Sequence, residues 1–426
     1  MQVTGKKRRR ADDAGTGGLA AAGAGDRDRL SALPDCLLHE IMSHFKARQA
    51  VQTCALSTRW RHLWRSAPYL DLDQEEFMAG VSWQNYDKAW ENFEDFIVHL
   101  VFGHDTGIAH LDALRLRVRA EHPRGEQAGR WIRHAIKYGG ARGSAITRRK
   151  GSMKNTTTSW GLKRLHLCNV HLHDAFAKHV ASRCLNLEDL VLEGCKCAVQ
   201  EISSQSLKSL VLRNCSCSEL SEIICPTLKR LVIDFRGSTS SYPRLVITAP
   251  GLADLFLFVY FKKFACNFSL NGMASLAKAS IHLRAHNNVE KRSDGQLELL
   301  GSLAHVTSLH LSGFKTMEFP TFPHFKNLKT LSLDECDLSD NFKTLGHFLQ
   351  DSPNLEKLTL RCCKFPRDLK RKEGIGELKE RLKLVDVQCK NLKLTEIIYG
   401  DDDVSNLVKL LLSSSWNLPN NKIKLY

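Results

Sequence analysis

The sequence predicts an α/β protein in which a short N-terminal module of three helices precedes a curved solenoid of stacked strand-and-return units. Apolar residues recur at helical spacing between residues 30 and 64. After residue 110 the phrase Leu-x-x-Leu-x-Leu returns many times, at a period too long for a single helix or hairpin. The composition, 43% hydrophobic and 25% charged, is that of an ordinary folded chain, and 426 residues suffice for about two to three domains with a sizeable core.

Residues 1–27 are basic and then Gly/Ala-rich, with nothing to build a core from, and are expected to be disordered. Lys6 to Arg10 within them read either as a nuclear import signal or as a solvated basic tail. Pro34 suits the first turn of a helix, where its missing N–H costs nothing. Leu37, Leu38, Ile41, Met42 and Phe45 then form one apolar stripe. Val51, Cys54 and Ala55 make a second short helical face. Ser57 or Thr58 is expected to cap a third helix carrying Trp60, Leu63 and Trp64.

Pro68 to Asp73 reads as a turn into a first strand, and residues 87–101 as an amphipathic helix through Phe93, Phe96, Ile97 and Leu100. Leu111, Leu114 and Leu116 introduce the repeated phrase. It recurs from Leu162, Leu187, Leu207, Leu228 and Leu252, and in degenerate form at Leu276, Ala279 and Ile281. Further copies start at Val306, Leu328, Leu355 and Leu382, the last with Val385 and Val387. From Leu162 onward the starts lie 20–30 residues apart, the signature of leucine-rich repeats, whose copies stack because none can bury its apolar side alone. Cys195, Cys215, Cys336 and Cys363 each stand three residues after the last leucine of a copy, where the repeat turns a small side chain inward.

The long gap from Ile281 to Val306 leaves room for inserted loops, the usual seat of binding residues. The Gly-, Ser-, Thr- and Arg-rich stretch 139–160 fits no copy. Beyond the last copy, Asp401 to Asp403 precede Val404, Leu407, Val408, Leu410 and Leu411, a pattern for a helix that closes the solenoid. The chain thus divides into a tail (1–27), a helical module (28–66), a linker with irregular first repeats (67–160), the solenoid (161–394) and a C-terminal cap (395–426).

Several function classes find no support. No stretch approaches the roughly 20 apolar residues of a membrane span, and the segment after Lys6–Arg10 lacks the apolar core of a secretory signal. The chain is therefore expected in the nucleus or cytoplasm, with its fourteen cysteines reduced. Cys195-Lys196-Cys197 and Cys215-Ser216-Cys217 are spaced too tightly for the common zinc pairs. His166, His171, His173 and His179 have no partner at a spacing that recurs in catalysis. Neither a phosphate-binding Gly-x-x-x-x-Gly-Lys loop nor a Gly-x-Ser-x-Gly elbow occurs. No catalytic residue, cofactor or metal is expected.

The net charge of +15 is uneven: residues 113–160 hold twelve Lys or Arg against two Glu. Such a segment suits an acidic or phosphorylated protein, a small anion, or nucleic acid stacked on Trp131 and Tyr138.

The run Leu33-Pro34-Asp35-Cys36-Leu37-Leu38-His39-Glu40-Ile41, followed by Leu56-Ser57-Thr58-Arg59-Trp60 and Leu63-Trp64, resembles the F-box in its plant form. The tail Asn391 to Tyr399 is similar to the C-terminal region common in plant F-box repeat proteins. This resemblance implies a non-catalytic receptor that docks a Skp-type adaptor of a cullin–RING ubiquitin ligase and holds a target protein on its repeats. By motif position it assigns Leu33, Pro34, Leu37, Leu38, Ile41, Val51, Leu56, Trp60, Leu63 and Trp64 to the docking surface or its supporting core. The competing reading is a repeat module outside ubiquitination that binds nucleic acid or an acidic partner through the basic segment. Nucleic acid is the less expected partner, since two aromatics make a poor stacking platform.

Overall fold

A computed structural model describes residues 30, 32–102, 111–119, 131–132, 161–235, 244–260, 268–284, 294–314, 322–340, 343–365, 391–399 and 421–426. Its spine is a parallel sheet whose thirteen strands follow one another in chain order. They are Tyr69–Asp73, Ala113–Arg117, Arg164–Cys168, Asp189–Glu193, Ser209–Arg213, Arg230–Asp234 and Asp254–Tyr260, then Lys278–Arg284, Ser308–Ser312, Thr330–Asp334, Lys357–Arg361, Leu394–Ile398 and Lys422–Leu425.

One register runs through the repeats. Leu114 faces Leu165, which faces Leu190, and the row continues through Leu210, Leu231, Leu255, Ala279, Leu309, Leu331 and Leu358. The degenerate copy is therefore a full rung. Side chains alternate across a strand, so the leucines of the rungs from Tyr69–Asp73 to Lys357–Arg361 enter one continuous core while the residues between them point the other way.

The return segments differ in kind. Glu201–Ser203, Glu222–Ile224, Leu245–Thr248 and Phe268–Asn271 form a second, four-stranded parallel sheet, and His171–His173 pairs with Lys196–Ala198. Elsewhere the chain returns through the helices Asp174–Arg183, Asp294–Ser302 and Lys343–Gln350. Part of the gap expected to hold loops is thus helical, with Leu299, Leu300 and Leu303 in the core.

Six of the rungs end in the same way. The residue two past the last leucine takes a left-handed backbone at Asn169, Gly194, Asn214, Gly313, Glu335 and Cys362. This turns the next residue inward. There the buried thiols of Cys195, Cys215, Cys336 and Cys363 donate to the carbonyls of Leu167, Leu192, Leu311 and Leu333, at 3.4, 3.2, 3.6 and 3.4 Å. Those carbonyls belong to the last leucine of the preceding rung, so the cysteine position ties neighbours together.

At the sheet's beginning, Leu70 and Leu72 occupy the leucine positions, making Tyr69–Asp73 a rung in its own right. The helix Tyr86–Ile97 covers this end with Trp90, Phe93 and Ile97 and continues into a π-helical turn, Val98–Phe102. At the other end, the strand beside Lys357–Arg361 is Leu394–Ile398, and Lys422–Leu425 follows it. The boundary at residue 394 therefore falls on the first residue of a strand, and the sheet continues beyond it. The copy at Leu382, the helix expected from Val404, the stretch 139–160 and the tail 1–27 lie outside the described residues.

Candidate functional site

Three short helices, Asp35–Ser43, Ala47–Gln52 and Trp60–Leu63, make up the N-terminal module, with 3-10 turns at Thr53–Ala55 and Trp64–Ser66. Pro34 sits at the N-cap of the first, and its carbonyl accepts from the N–H groups of Leu37 and Leu38. The N-cap of the third is Arg59, without a side-chain cap, in place of the expected Ser57 or Thr58. Arg59 Nη2 instead pairs with Asp35 Oδ1 at 2.6 Å and ties the starts of the two helices.

The ten residues assigned by motif position separate into distinct environments. Leu38 (0% exposed), Trp60 (1%) and Leu63 (6%) form the module's own core with Met42 and Ala67. Leu33, Ile41 and Trp64 are half-buried against it. Leu37 (49%) and Leu56 (61%) are exposed, as is Pro34. Val51 belongs elsewhere, packed with Trp64 against the core of the repeats, where Ala47 is buried. The sequence could not sort these roles, because helical spacing marks a stripe and not which neighbour covers it.

Polar contacts reinforce that junction. Lys46 Nζ lies 2.8 Å from Oδ2 of Asp73, a nearly buried carboxylate on the first rung. Arg48 Nη1 donates to the Glu76 carbonyl at 2.6 Å, and its guanidinium stands 4.9 Å from the centre of the Phe77 ring. The helical module is therefore seated on the first repeat through both apolar and charged contacts.

The second surface is the sheet face opposite the leucine core. Val191, Val211, Val232 and Phe256 stand side by side on successive strands. Val211, Val232 and Phe258 are nearly buried yet do not belong to the leucine core. The His282 ring lies 5.0 Å from that of Phe256 and 5.9 Å from that of Phe258, with His310 next at 4.9 Å. The signal was legible in the sequence, since the residue between the last two leucines is Val191, Val211, Val232 and Phe256 in four consecutive copies.

Charge flanks this apolar centre. On one side Arg115 approaches Asp71 at 3.6 Å, and Glu193 accepts from Arg213 at 3.3 Å. Toward the other end Glu396 pairs with Lys357 at 2.7 Å and Lys424 at 3.8 Å. Burial holds the His166 and His310 rings below the usual imidazole range, and it raises the Asp71 carboxyl despite Arg115.

Trp131, expected among the cations as a stacking platform, is buried; its ring stacks on Trp90 at 5.5 Å and meets Phe93 edge-on at 6.2 Å. Tyr138 lies outside the described residues. The four histidines separate: His166 is on a rung, His171 and His173 are on a return strand, and His179 faces the Ala175 carbonyl within its helix. Among the described residues, one group of ligand-type side chains comes together on the strand face, His166 with Cys168 and Glu193. No helix of the described residues is long and apolar enough to cross a membrane.

Comparison with known proteins finds family matches over the helical module and over part of the repeats. The F-box domain family matches residues 30–71. A second family, "FBD-associated F-box protein At5g56370, LRR repeats", matches residues 149–261. The MEIOTIC F-BOX protein MOF of Oryza sativa subsp. japonica is 32% identical over 407 residues, covering 87% of this chain and 80% of that protein. An F-box/FBD/LRR-repeat protein of Arabidopsis thaliana is 25% identical over 441 residues, covering 91% of this chain and 88% of its own length. An Arabidopsis F-box/LRR-repeat protein is 27% identical over 387 residues, 78% of each chain.

Proposed function

Because the chain belongs to the plant F-box/leucine-rich-repeat proteins, we propose that it is the substrate-recognition subunit of a Skp–cullin–F-box ubiquitin ligase. The carrying observation is the helical module. Its interior holds five buried side chains, while Leu37 (49%) and Leu56 (61%) stand exposed beside Pro34. Apolar groups so exposed on so small a core suit a surface that a partner completes.

In this reading the Skp-type adaptor covers Pro34, Leu37 and Leu56 with the half-buried Leu33 and Ile41, while Leu38, Trp60 and Leu63 hold the helices beneath them. The repeat region is a curved solenoid, and its strand face receives the target through the valine–phenylalanine row and the charges around it. Catalysis needs no residue of this chain. The receptor holds target lysines near the charged ubiquitin-conjugating enzyme, which raises their effective concentration. The seating of the module by Ala47, Val51 and the Lys46–Asp73 pair supports a fixed geometry between adaptor and target. Cytoplasm and nucleus are both open to such a complex, with Lys6 to Arg10 as the import element.

The nucleic-acid reading loses one of its two aromatics with Trp131 in the core, and Tyr138 lies outside the described residues. The test is co-expression with a Skp-type adaptor, comparing the full chain with its Leu37→Asp/Leu56→Asp variant. Stoichiometric adaptor on the wild-type chain and none on the folded variant is the expected result. Equal recovery on both would exclude this docking surface.

A further inference from the structure

His166 and Cys168 lie two residues apart on one rung and point to the same face, while Glu193 stands opposite Cys168 on the next rung. Their donor atoms form a small triangle. His166 Nε2 is 3.3 Å from Cys168 Sγ and 3.2 Å from Glu193 Oε2, and Cys168 Sγ is 3.7 Å from that same oxygen. A tetrahedral zinc ion, with bonds of about 2.0–2.3 Å, separates its donors by about 3.4–3.6 Å. The three atoms thus already lie near three corners of such a site.

We propose that His166, Cys168 and Glu193 bind a zinc ion on the strand face. Sulfur, imidazole nitrogen and carboxylate oxygen are the donors zinc takes, and three protein ligands leave one tetrahedral position for water. The ladder supplies the organisation, since register fixes all three side chains before any metal arrives. Arg213 Nη1 holds Glu193 Oε1 at 3.3 Å, which leaves Oε2 turned to the triangle. On the preceding strand, Arg115 and Arg117 stand opposite His166 and Cys168. Burial and the Glu193 carboxylate hold the Cys168 thiol up at about 11 against the pull of these two arginines, which also repel a dication; zinc binding releases the Cys168 proton to solvent as the Zn–S bond forms. Sequence spacing hid this arrangement because the third donor lies one whole repeat away from His166-Leu167-Cys168.

The test uses the full chain, stripped with a chelator and titrated with Zn2+ against a chromophoric competitor, with Co2+ as spectroscopic stand-in. Because other cysteines are present, the reading is the difference between the wild-type chain and its variants. Cys168→Ser and Glu193→Gln, folded by circular dichroism, should each weaken one equivalent of zinc by about tenfold or more. Cys168→Ser should also abolish a cobalt–thiolate charge-transfer band. Zinc binding that is identical in the wild-type chain and both variants would overturn the site, as would no tight zinc in the wild-type chain; the trio would then be a hydrogen-bonded cluster. If Cys168→Ser fails to fold, the partly exposed Glu193→Gln decides alone.

Discussion

Neighbouring leucines in the F-box motif differ in burial, and the proposed docking gives them opposite duties. Leu37→Asp places a charge on an exposed site, so folding should be nearly unaffected while adaptor binding in a pull-down is lost. Leu38→Asp puts the same charge where exposure is 0%, and should unfold the module and abolish its helical protection. Glycines divide in the same way. A Cβ on Gly313 would sit 1.9 Å from the Leu283 carbonyl oxygen, at a φ of +72°, so Gly313→Ala should cost more than about 2 kcal/mol in denaturant melts. Gly346 lies within the helix Lys343–Gln350 with nothing within 4 Å of such a Cβ, and Gly346→Ala should gain about 0.5–1 kcal/mol. Titration gives a third contrast. Burial depresses the proton affinity of His310, whose surroundings include Asp334, Arg361, Lys278 and the His282 ring. The unfolded chain therefore binds the extra proton first, and stability should fall as pH drops from neutral through the usual imidazole range. His310→Gln should flatten that decline in denaturant melts between pH 7 and about pH 5.5.

Elements were legible where one periodicity decides them. Each Leu-x-x-Leu-x-Leu copy within the described residues is a strand, because alternation and the repeat period both demand it. The first rung, expected as a strand, and the next-to-last were harder to read as members of the series. Tyr69–Asp73 lacks the leading leucine, and Leu394–Ile398 replaces a leucine by the buried Thr395, so neither advertises the phrase. Strand addition is decided by the edge already present, and a sequence window does not contain that edge. The junction between module and repeats was equally hidden, because Lys46 and Asp73 come from different elements. Removing the cation by Lys46→Ala leaves a nearly buried carboxylate without it. The loss should lie between that of an exposed and a buried ion pair, about 1–2 kcal/mol. Hydrogen exchange should register it as faster opening of residues 35–66, with the central rungs unchanged.

Across the whole molecule, stability is distributed unevenly by the number of neighbours each unit has. A central rung such as Arg230–Asp234 is hydrogen-bonded on both sides and lies in the large core, whereas the module relies on five buried side chains and one seam. In a stacked architecture each unit contributes its own stability plus its interfaces, so opening begins where both are small. The module should therefore exchange its amide protons faster than the central rungs in the free chain. A Skp-type adaptor that binds only the closed module would add RT ln(1 + [L]/Kd), about 2.7 kcal/mol at a hundredfold excess over Kd. Protection should then rise across residues 35–66 and stay level from residue 189 to residue 234, because the rungs there do not meet the adaptor. Protection that rose equally along the sheet would mean that the adaptor contacts the repeats themselves, and the division of labour between the two surfaces would have to be redrawn.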